Sequence, residues 1–407
     1  MTERAVLCAL DLGPESEVSL EELRELTRTA GADVVATVLQ MRPSPDAALY
    51  LGSGKVEELK EMVDADFCDL LIFDGELSPT QLRNLEKATD ARVIDRTTLI
   101  LDIFAQRAKS REGRLQVELA QLQYRLPRLA GQGTSLSRLG AGIGTRGPGE
   151  TKLETDRRHI ERRIRSIREE LKNVEKRRNM LRKRRDKTGV ETVVLVGYTN
   201  AGKSTLMNTL TEAGVLAEDK LFATLDPTSR ALRLPSGRNV MLIDTVGLVR
   251  NLPHQLVEAF HSTLEEAASA DVILNICDAS SPEYEDHLRV TETVLKDLGA
   301  EGIPMIRVMN KCDLVFEQPH RKDDTVWLSA KNGSGITLLL EAVEEACPAR
   351  RTQCTFRFPF EELSQASIVR DDSAVLRETY TEDGLELEVI CSVRMMEHYK
   401  DFLTKEN

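Results

Sequence analysis

The residues best suited to chemistry lie in Gly197-Tyr198-Thr199-Asn200-Ala201-Gly202-Lys203-Ser204, which fits the spacing G-x-x-x-x-G-K-[ST]. An apolar run precedes it and a helix-compatible run beginning at Thr205 follows, the context this motif requires. Glycines let the backbone close around phosphate oxygens, and the N–H groups and helix N-terminus then face negative charge. Lys203 is expected to reach the β- and γ-phosphates, where it both binds and assists catalysis. The Ser204 hydroxyl is expected to bind Mg²⁺ directly.

Three further elements follow in an order that suits the same pocket. Asp244-Thr245-Val246-Gly247 comes directly after a strand pattern. Asp244 suits the Mg²⁺ shell, and the Gly247 N–H suits the γ-phosphate, which would make the following segment a switch. Asn310-Lys311-Cys312-Asp313 also ends a strand pattern. The Asp313 carboxylate can accept from both N1–H and the 2-amino group of guanine. Adenine lacks that amino donor, and sites built this way discriminate by roughly 10⁴–10⁵. Ser329-Ala330-Lys331 supplies a backbone N–H for guanine O6. Upstream, Phe222-Ala223-Thr224-Leu225-Asp226 offers a second switch, with Thr224 as the hydroxyl that completes the Mg²⁺ shell and takes part in catalysis. Thr228 is the runner-up, and the plainer reading is a threonine that caps a turn. Together these residues predict a pocket for GTP and GDP, with Mg²⁺ as cofactor.

One side chain is missing from this set. Ras-like GTPases carry a water-orienting Gln just after Asp-x-x-Gly; here that position is Leu248, flanked by Val246 and Val249. Unassisted hydrolysis is therefore expected at about 10⁻³ s⁻¹ or below, with a partner ordering the switches.

These residues need elements to hold them. Strand-like runs at 192–196, 240–244, 272–277, 305–309 and 326–328 alternate with helical stretches and predict a P-loop domain over 190–349, with a mostly parallel sheet and helices on both faces. Residues 1–95 alternate likewise, with strands at 4–10, 33–39, 69–73 and 92–94. Helices are read at 20–27, 56–63 and 80–88, Ser19 being read as a cap and Ser78-Pro79 as a helix start. Gly52-Ser53-Gly54-Lys55 lacks the full P-loop spacing and reads as a turn before the second helix.

Residues 96–189 differ in kind. Leu115, Leu119, Leu122, Leu126 and Leu129 follow a 4-3-4-3 spacing, as do Ile160, Ile164, Ile167, Leu171 and Val174. Such seams predict an antiparallel coiled-coil hairpin. Seven glycines among residues 131–149 exclude a helix there and make that stretch the tip. Residues 350–407 read as a small α/β domain, with Asp383-Gly384 as a hairpin turn. Helices are read at 361–369 and 394–403.

The 407 residues carry a net charge of −12, which by itself argues against nucleic acid. The distribution argues the other way. Residues 106–187 hold 24 Lys plus Arg against 10 Asp plus Glu, which leaves −26 for the rest. A basic arm on an acidic body points to RNA, with Arg138, Arg146, Arg157, Arg158 and Arg162 as contact candidates. Seven scattered cysteines, no apolar run of membrane-spanning length and an N-terminus without a signal-peptide pattern predict a cytoplasmic protein.

With these features assembled, the chain resembles the HflX family of ribosome-associated GTPases, within the translation-factor class of P-loop GTPases. The resemblance runs from about Tyr50 to about Lys331. It rests most on Tyr50-Leu51-Gly52-Ser53-Gly54-Lys55-Val56, Asp95-Arg96-Thr97, the block from Gly142 through Thr145-Arg146-Gly147-Pro148-Gly149-Glu150 to Glu154, the stretch from Phe222 to Asp226, and the apolar residue at 248. It implies a monomer that binds the 50S subunit and its rRNA and splits or rescues stalled 70S ribosomes. It further implies GTP hydrolysis mainly on the ribosome, and a nucleotide held by Gly197 to Thr205, Phe222 to Asp226, Asp244 to Gly247, Asn310, Lys311, Asp313 and Ser329 to Lys331. An rRNA-maturation GTPase and a GTP-gated scaffold are the alternatives; turnover with and without 50S subunits separates them.

Overall fold

The structure, a computed structural model, describes residues 2–13, 15–129, 148–188, 190–211, 222, 228–250, 266–347, 351–381 and 383–406. Ala223, Thr224, Leu225, Asp226, Arg138, Arg146 and the glycine-rich stretch 131–147 lie outside these residues.

The N-terminal unit begins with β1 (Arg4–Asp11), α1 (Glu15–Ala30), β2 (Asp33–Met41), α2 (Ser53–Asp64), β3 (Leu70–Phe73), α3 (Pro79–Thr89), β4 (Arg92–Asp95) and α4 (Arg96–Arg107). Its four strands are parallel in the order β2-β1-β3-β4. Strand β1 is apolar at nearly every position because it is covered on both faces, as parallel sheets are. Ala5, Leu7 and Ala9 join one core with Leu23 and Leu26 of α1, while Val6, Cys8 and Leu10 join the other with Val56 and Leu59 of α2. Ser78 caps α3 in a full capping box with Gln81. Ser19 does not cap α1, which starts a turn earlier at Glu15; there the Ser16 hydroxyl accepts from Leu12 N at 2.8 Å. Gly52-Ser53-Gly54-Lys55 opens α2, and Lys55 pairs with Glu58 at 2.6 Å.

Helix α4 lies inside the span that the sequence assigns to the arm, yet it packs on the N-terminal sheet. Leu99, Ile100, Ile103 and Phe104 enter the same core as α1. Asp95 makes that junction: it caps α4 through Thr98 N at 2.9 Å and accepts from Tyr124 OH of the next helix.

The arm pairs α5 (Arg111–Leu129) with α6 (Pro148–Thr188). Leu115 and Leu119 meet Ile164 and Ile167 in a buried seam, flanked by Leu122, Leu126, Ile160 and Leu171. Arg163–Glu118 at 2.7 Å and Arg111–Glu170 at 2.8 Å show that the two helices run antiparallel. Pro148 and Gly149, read from sequence as part of the tip, are the first residues of α6.

The third unit holds β5 (Thr192–Gly197), α7 (Lys203–Thr211), β6 (Thr228–Arg233), β7 (Asn239–Asp244), β8 (Val272–Asp278), α8 (Tyr284–Asp297), β9 (Met305–Asn310), β10 (His320–Lys322), β11 (Thr325–Trp327) and α9 (Ile336–Ala346). Its seven-stranded sheet has the order β10-β11-β9-β8-β5-β7-β6, parallel except at the two edges. The order reverses around β5, so a crevice opens at its C-terminal end, the usual ligand position in open α/β sheets.

A last sheet, β13-β14-β12-β15, is antiparallel and is built from β12 (Arg351–Phe358), β13 (Ala374–Thr381), β14 (Gly384–Ser392) and β15 (Leu403–Glu406), with α10 (Leu363–Asp372) and α11 (Val393–His398). Gly384 starts β14 with φ +153, and a Cβ there would stand 2.1 Å from Phe358 O, so no other residue fits the turn. The sequence reads 394–403 as one helix; α11 ends at His398, and Leu403 begins the strand that pairs with β12. All seven cysteines are buried thiols outside any disulfide.

Candidate nucleotide site

The P-loop leaves β5 at Gly197, whose φ is +146. A Cβ there would lie 2.1 Å from Ile276 O, so glycine alone lets the loop pass β8. Gly202, at φ +93, packs against Asn310 so closely that a Cβ would stand 2.2 Å from its Nδ2. Helix α7 then begins at Lys203, and Leu206 and Met207 fix it to the core.

Three sequence-predicted segments converge here. Asn310, at the end of β9, donates to Ala201 O at 2.8 Å and accepts from Ala330 N at 2.9 Å. One buried amide thus ties the P-loop to the Ser329–Lys331 loop. Lys311 donates to Asp278 Oδ2 at 2.7 Å and holds φ +63, turning the chain into the short helical turn in which Cys312 is buried. Asp313 Oδ1 is buried without a hydrogen-bond partner among the described residues. A buried carboxylate oxygen left open is costly unless a donor arrives, which suits a reader of N–H groups. Ser329 is fully buried and Ala330 nearly so, while Lys331 is exposed.

On the phosphate side, Ser204 Oγ donates to Asp244 Oδ2 at 3.0 Å. Thr245 is fully buried and donates to Leu195 O at 2.7 Å, which braces the end of β7 against β5. Lys203 donates to Gly197 O at 3.0 Å and Tyr198 O at 2.8 Å. Burial lowers its ammonium to about 8, against the pull of Asp244. Thr205 opens the helix behind Ser204, and Thr199 and Asn200 form the loop crown, Asn200 at φ +58.

The segment after Asp244 is paired to the P-loop. Leu248 N donates to Gly197 O at 3.1 Å and Thr199 N donates to Leu248 O at 2.8 Å, a short parallel bridge between Tyr198 and Leu248. A Cβ on Gly247 would meet Thr199 Cγ2 at 2.8 Å and Lys203 Nζ at 3.1 Å. The Leu248 side chain is 3% exposed and packs with Tyr198, Val294 and Leu298, turned away from the phosphate side. Val246 and Val249 point the other way into the N-terminal core, as does Phe222, whose ring meets Phe104 edge-on at 4.5 Å.

Sequence reasoning missed the group that joins the two units. Tyr198 donates its hydroxyl to Glu22 Oε1 at 2.5 Å and accepts from Arg250 N at 2.6 Å. Burial and then Glu22 push this phenol well above its ordinary range. His287 stacks on the ring at 3.9 Å, and Arg96 binds Glu22 and Asp74. The Asp95-Arg96-Thr97 triplet was the one available signal, and it gave no partner.

The comparisons agree with this architecture. Residues 17–105 match a family model described as GTP-binding GTPase N-terminal, 107–185 one described as GTP-binding GTPase middle region, and 192–311 one described as 50S ribosome-binding GTPase. GTPase HflX of Caldanaerobacter subterraneus subsp. tengcongensis is 51% identical over 401 residues, covering 98% of this chain and 94% of the relative. GTPase HflX of Escherichia coli (strain K12) is 44% identical over 390 residues, covering 94% and 92%. A solved GTP-binding protein from the archaeon Sulfolobus solfataricus in complex with GDP covers 85% of this chain and 99% of its own, at 23% identity and a TM-score of 0.47. Near-full-length identity of this size, spread over all three model regions, places the chain in the HflX family of GTPases.

Proposed function

We propose that this GTPase binds the 50S subunit through its basic arm, splits or rescues stalled 70S ribosomes, and hydrolyses GTP slowly alone and faster on the ribosome. The observation that carries this reading is the joining of a guanine-type pocket to a long helix whose outer face is arginine. Arg157, Arg158, Arg162, Arg165 and Arg168 of α6 are exposed, while Ile164 and Ile167 on the opposite stripe are buried. Arg162 and Arg165 donate to helix carbonyls and keep their charge toward solvent. Phosphate contacts from such a face give affinity and salt dependence, and the shape of folded rRNA suits it.

In the pocket, Asp313 reads N1–H and the 2-amino group of guanine, a backbone N–H of the Ser329–Lys331 loop meets O6, and Asn310 holds both loops in place. The P-loop amides from Asn200 to Lys203 surround the phosphates, and Lys203 leaves its two loop carbonyls for the β- and γ-oxygens. Ser204 and Asp244 bring a hydroxyl and a carboxylate within 3.0 Å of each other, a hard-oxygen pair that fits Mg²⁺. Thr224 is assigned the remaining switch hydroxyl. Mg²⁺ held there by Ser204, with Asp244 in its shell, would supply charge neutralisation for phosphoryl transfer. Gly247 N–H turns to the γ-phosphate, and Leu248 gives no side-chain help with water, so an outside surface must order that region.

The protein works as a monomer in the cytoplasm; among the described residues no helix is long and apolar enough to cross a membrane. Sedimentation of 70S particles with this protein tests the reading. Dissociation with a non-hydrolysable GTP analogue, together with faster GTP turnover on added 50S subunits, is expected. Intact 70S particles with unchanged turnover would refute it.

A further inference from the structure

The hydrogen bonds around Tyr198 continue in both directions. On one side Tyr124 OH and the Arg128 guanidinium, both on α5 of the arm, hold Asp95, with Arg128 Nη2 3.4 Å from Oδ2 and donating to Leu77 O at 2.8 Å. The next residue, Arg96, is 3% exposed and binds Asp74 Oδ1 at 2.7 Å as well as Glu22. Glu22 accepts from Tyr198, and the Tyr198 oxygen accepts from Arg250 N, two residues past Leu248. Through the adjacent residues Asp95 and Arg96, these contacts link the C-terminal end of α5 to the segment after Gly247.

We infer that the Tyr198 hydroxyl is a positioning group for the 247–250 segment, set by Glu22 and Arg96 of the N-terminal unit and through them by the arm. While Glu22, Tyr198 and Arg250 stay joined, Gly247 is pressed on Thr199 and Lys203, Leu248 stays paired to the loop, and the Lys203 ammonium serves Gly197 O and Tyr198 O. Turnover requires the opposite arrangement: Gly247 N–H and Lys203 turned to the γ-phosphate. The chain of contacts thus holds basal hydrolysis down, and displacement of Asp95 and Arg96 by a load on the arm relieves it. The link to the arm rests on the proposed ribosome contact; the hold on basal turnover does not.

The test uses the full chain and measures kcat and KM for GTP without ribosomes, with thermal melting as a check on folding. Tyr198→Phe removes the hydroxyl and keeps the ring. Glu22→Asp keeps a charge for Arg96 but withdraws the acceptor, and so serves if Tyr198→Phe folds poorly. Each is expected to raise basal kcat about five- to tenfold, the scale of partly losing one charge-assisted hydrogen bond, with KM within about twofold. The double variant should do no more than either single, because both cut the same link. Stimulation by 50S subunits should shrink by the same factor. Unchanged or lowered kcat, or effects that multiply in the double variant, would overturn the inference. If 50S subunits fail to stimulate the wild type, the proposed function falls while the basal measurements still decide this point.

Discussion

Replacing Asn310 by alanine removes a side chain that donates to Ala201 O at 2.8 Å and accepts from Ala330 N at 2.9 Å. Asn310 is 2% exposed and its two partners are as deeply buried, so both backbone groups are stranded away from water. Each such group costs about 1–3 kcal/mol, or about 2–6 kcal/mol for the pair; local relaxation and water entry put the expectation near ~3 kcal/mol. For a domain of this size that lowers Tm by about 6–12 °C. The same amide fixes the P-loop against the 329–331 loop, so GTP and GDP affinities should fall together, by about tenfold to a hundredfold. Preference over ATP should persist, because Asp313 is untouched. Scanning calorimetry and equilibrium titration with fluorescent GTP, GDP and ATP analogues measure these quantities. A variant that keeps its melting temperature and its GTP affinity would refute the bracing argument. So would one that binds tightly but no longer distinguishes GTP from ATP, since that would make Asn310 a reader of the base.

Asp313→Ala should abolish most of the preference for GTP over ATP, a loss of about 10⁴ in the ratio of affinities, because the open carboxylate oxygen no longer penalises adenine. Competition binding with both nucleotides reads it. Replacing Arg157, Arg158 and Arg162 together by glutamine should weaken 50S binding and reduce the slope of log K against log salt by about 2–3, as expected for three lost phosphate contacts. A pH effect is expected at His287, where burial and then Arg250 hold the imidazole below its ordinary 6.5 against Asp278 and Asp286, with Glu283 3.9 Å away. The folded protein then binds fewer protons on this ring than the unfolded chain, so stability falls as pH drops through 6.5 toward the lowered pKa. In His287→Gln, Tm should fall less steeply between about pH 7.5 and 5.5; an unchanged slope would show that the ring's charging is not opposed by its surroundings.

The phosphate and base loops were legible because their chemistry is local. A P-loop is eight consecutive residues with fixed roles, and the strands before Gly197, Asp244 and Asn310 are apolar runs that a buried parallel sheet requires. The arm's seam was legible for the same reason, since Ile160, Ile164 and Ile167 repeat at helical spacing. Helix α4 was not: its apolar run from Leu99 to Phe104 abuts the arm in sequence, and packing alone decides which body it joins. In the sequence Tyr198 reads only as one of the P-loop residues that hold the nucleotide. Its partner Glu22 lies 176 residues away, on a helix whose acidic face looks solvated until the nucleotide-binding unit is set against it.

Helix α6 has 41 residues and spans about 60 Å at ~1.5 Å per residue. Arg111 and Glu112 of α5 meet its second half at Glu170 and Arg178, and only residues 189–191 separate its C-terminal end from the strand that becomes the P-loop. Such a rod behaves as a crank with very unequal arms. A swing of about 5° sweeps its outer end through about 5 Å while shifting groups near the pivot by a few tenths of an ångström. That smaller movement is the tolerance of a single hydrogen bond, so a coarse displacement at the outer end of the arm is geared down, beside residues 189–191, to the one distance scale on which a contact such as Thr192 N to Asp271 Oδ2 at 2.8 Å can be kept or lost.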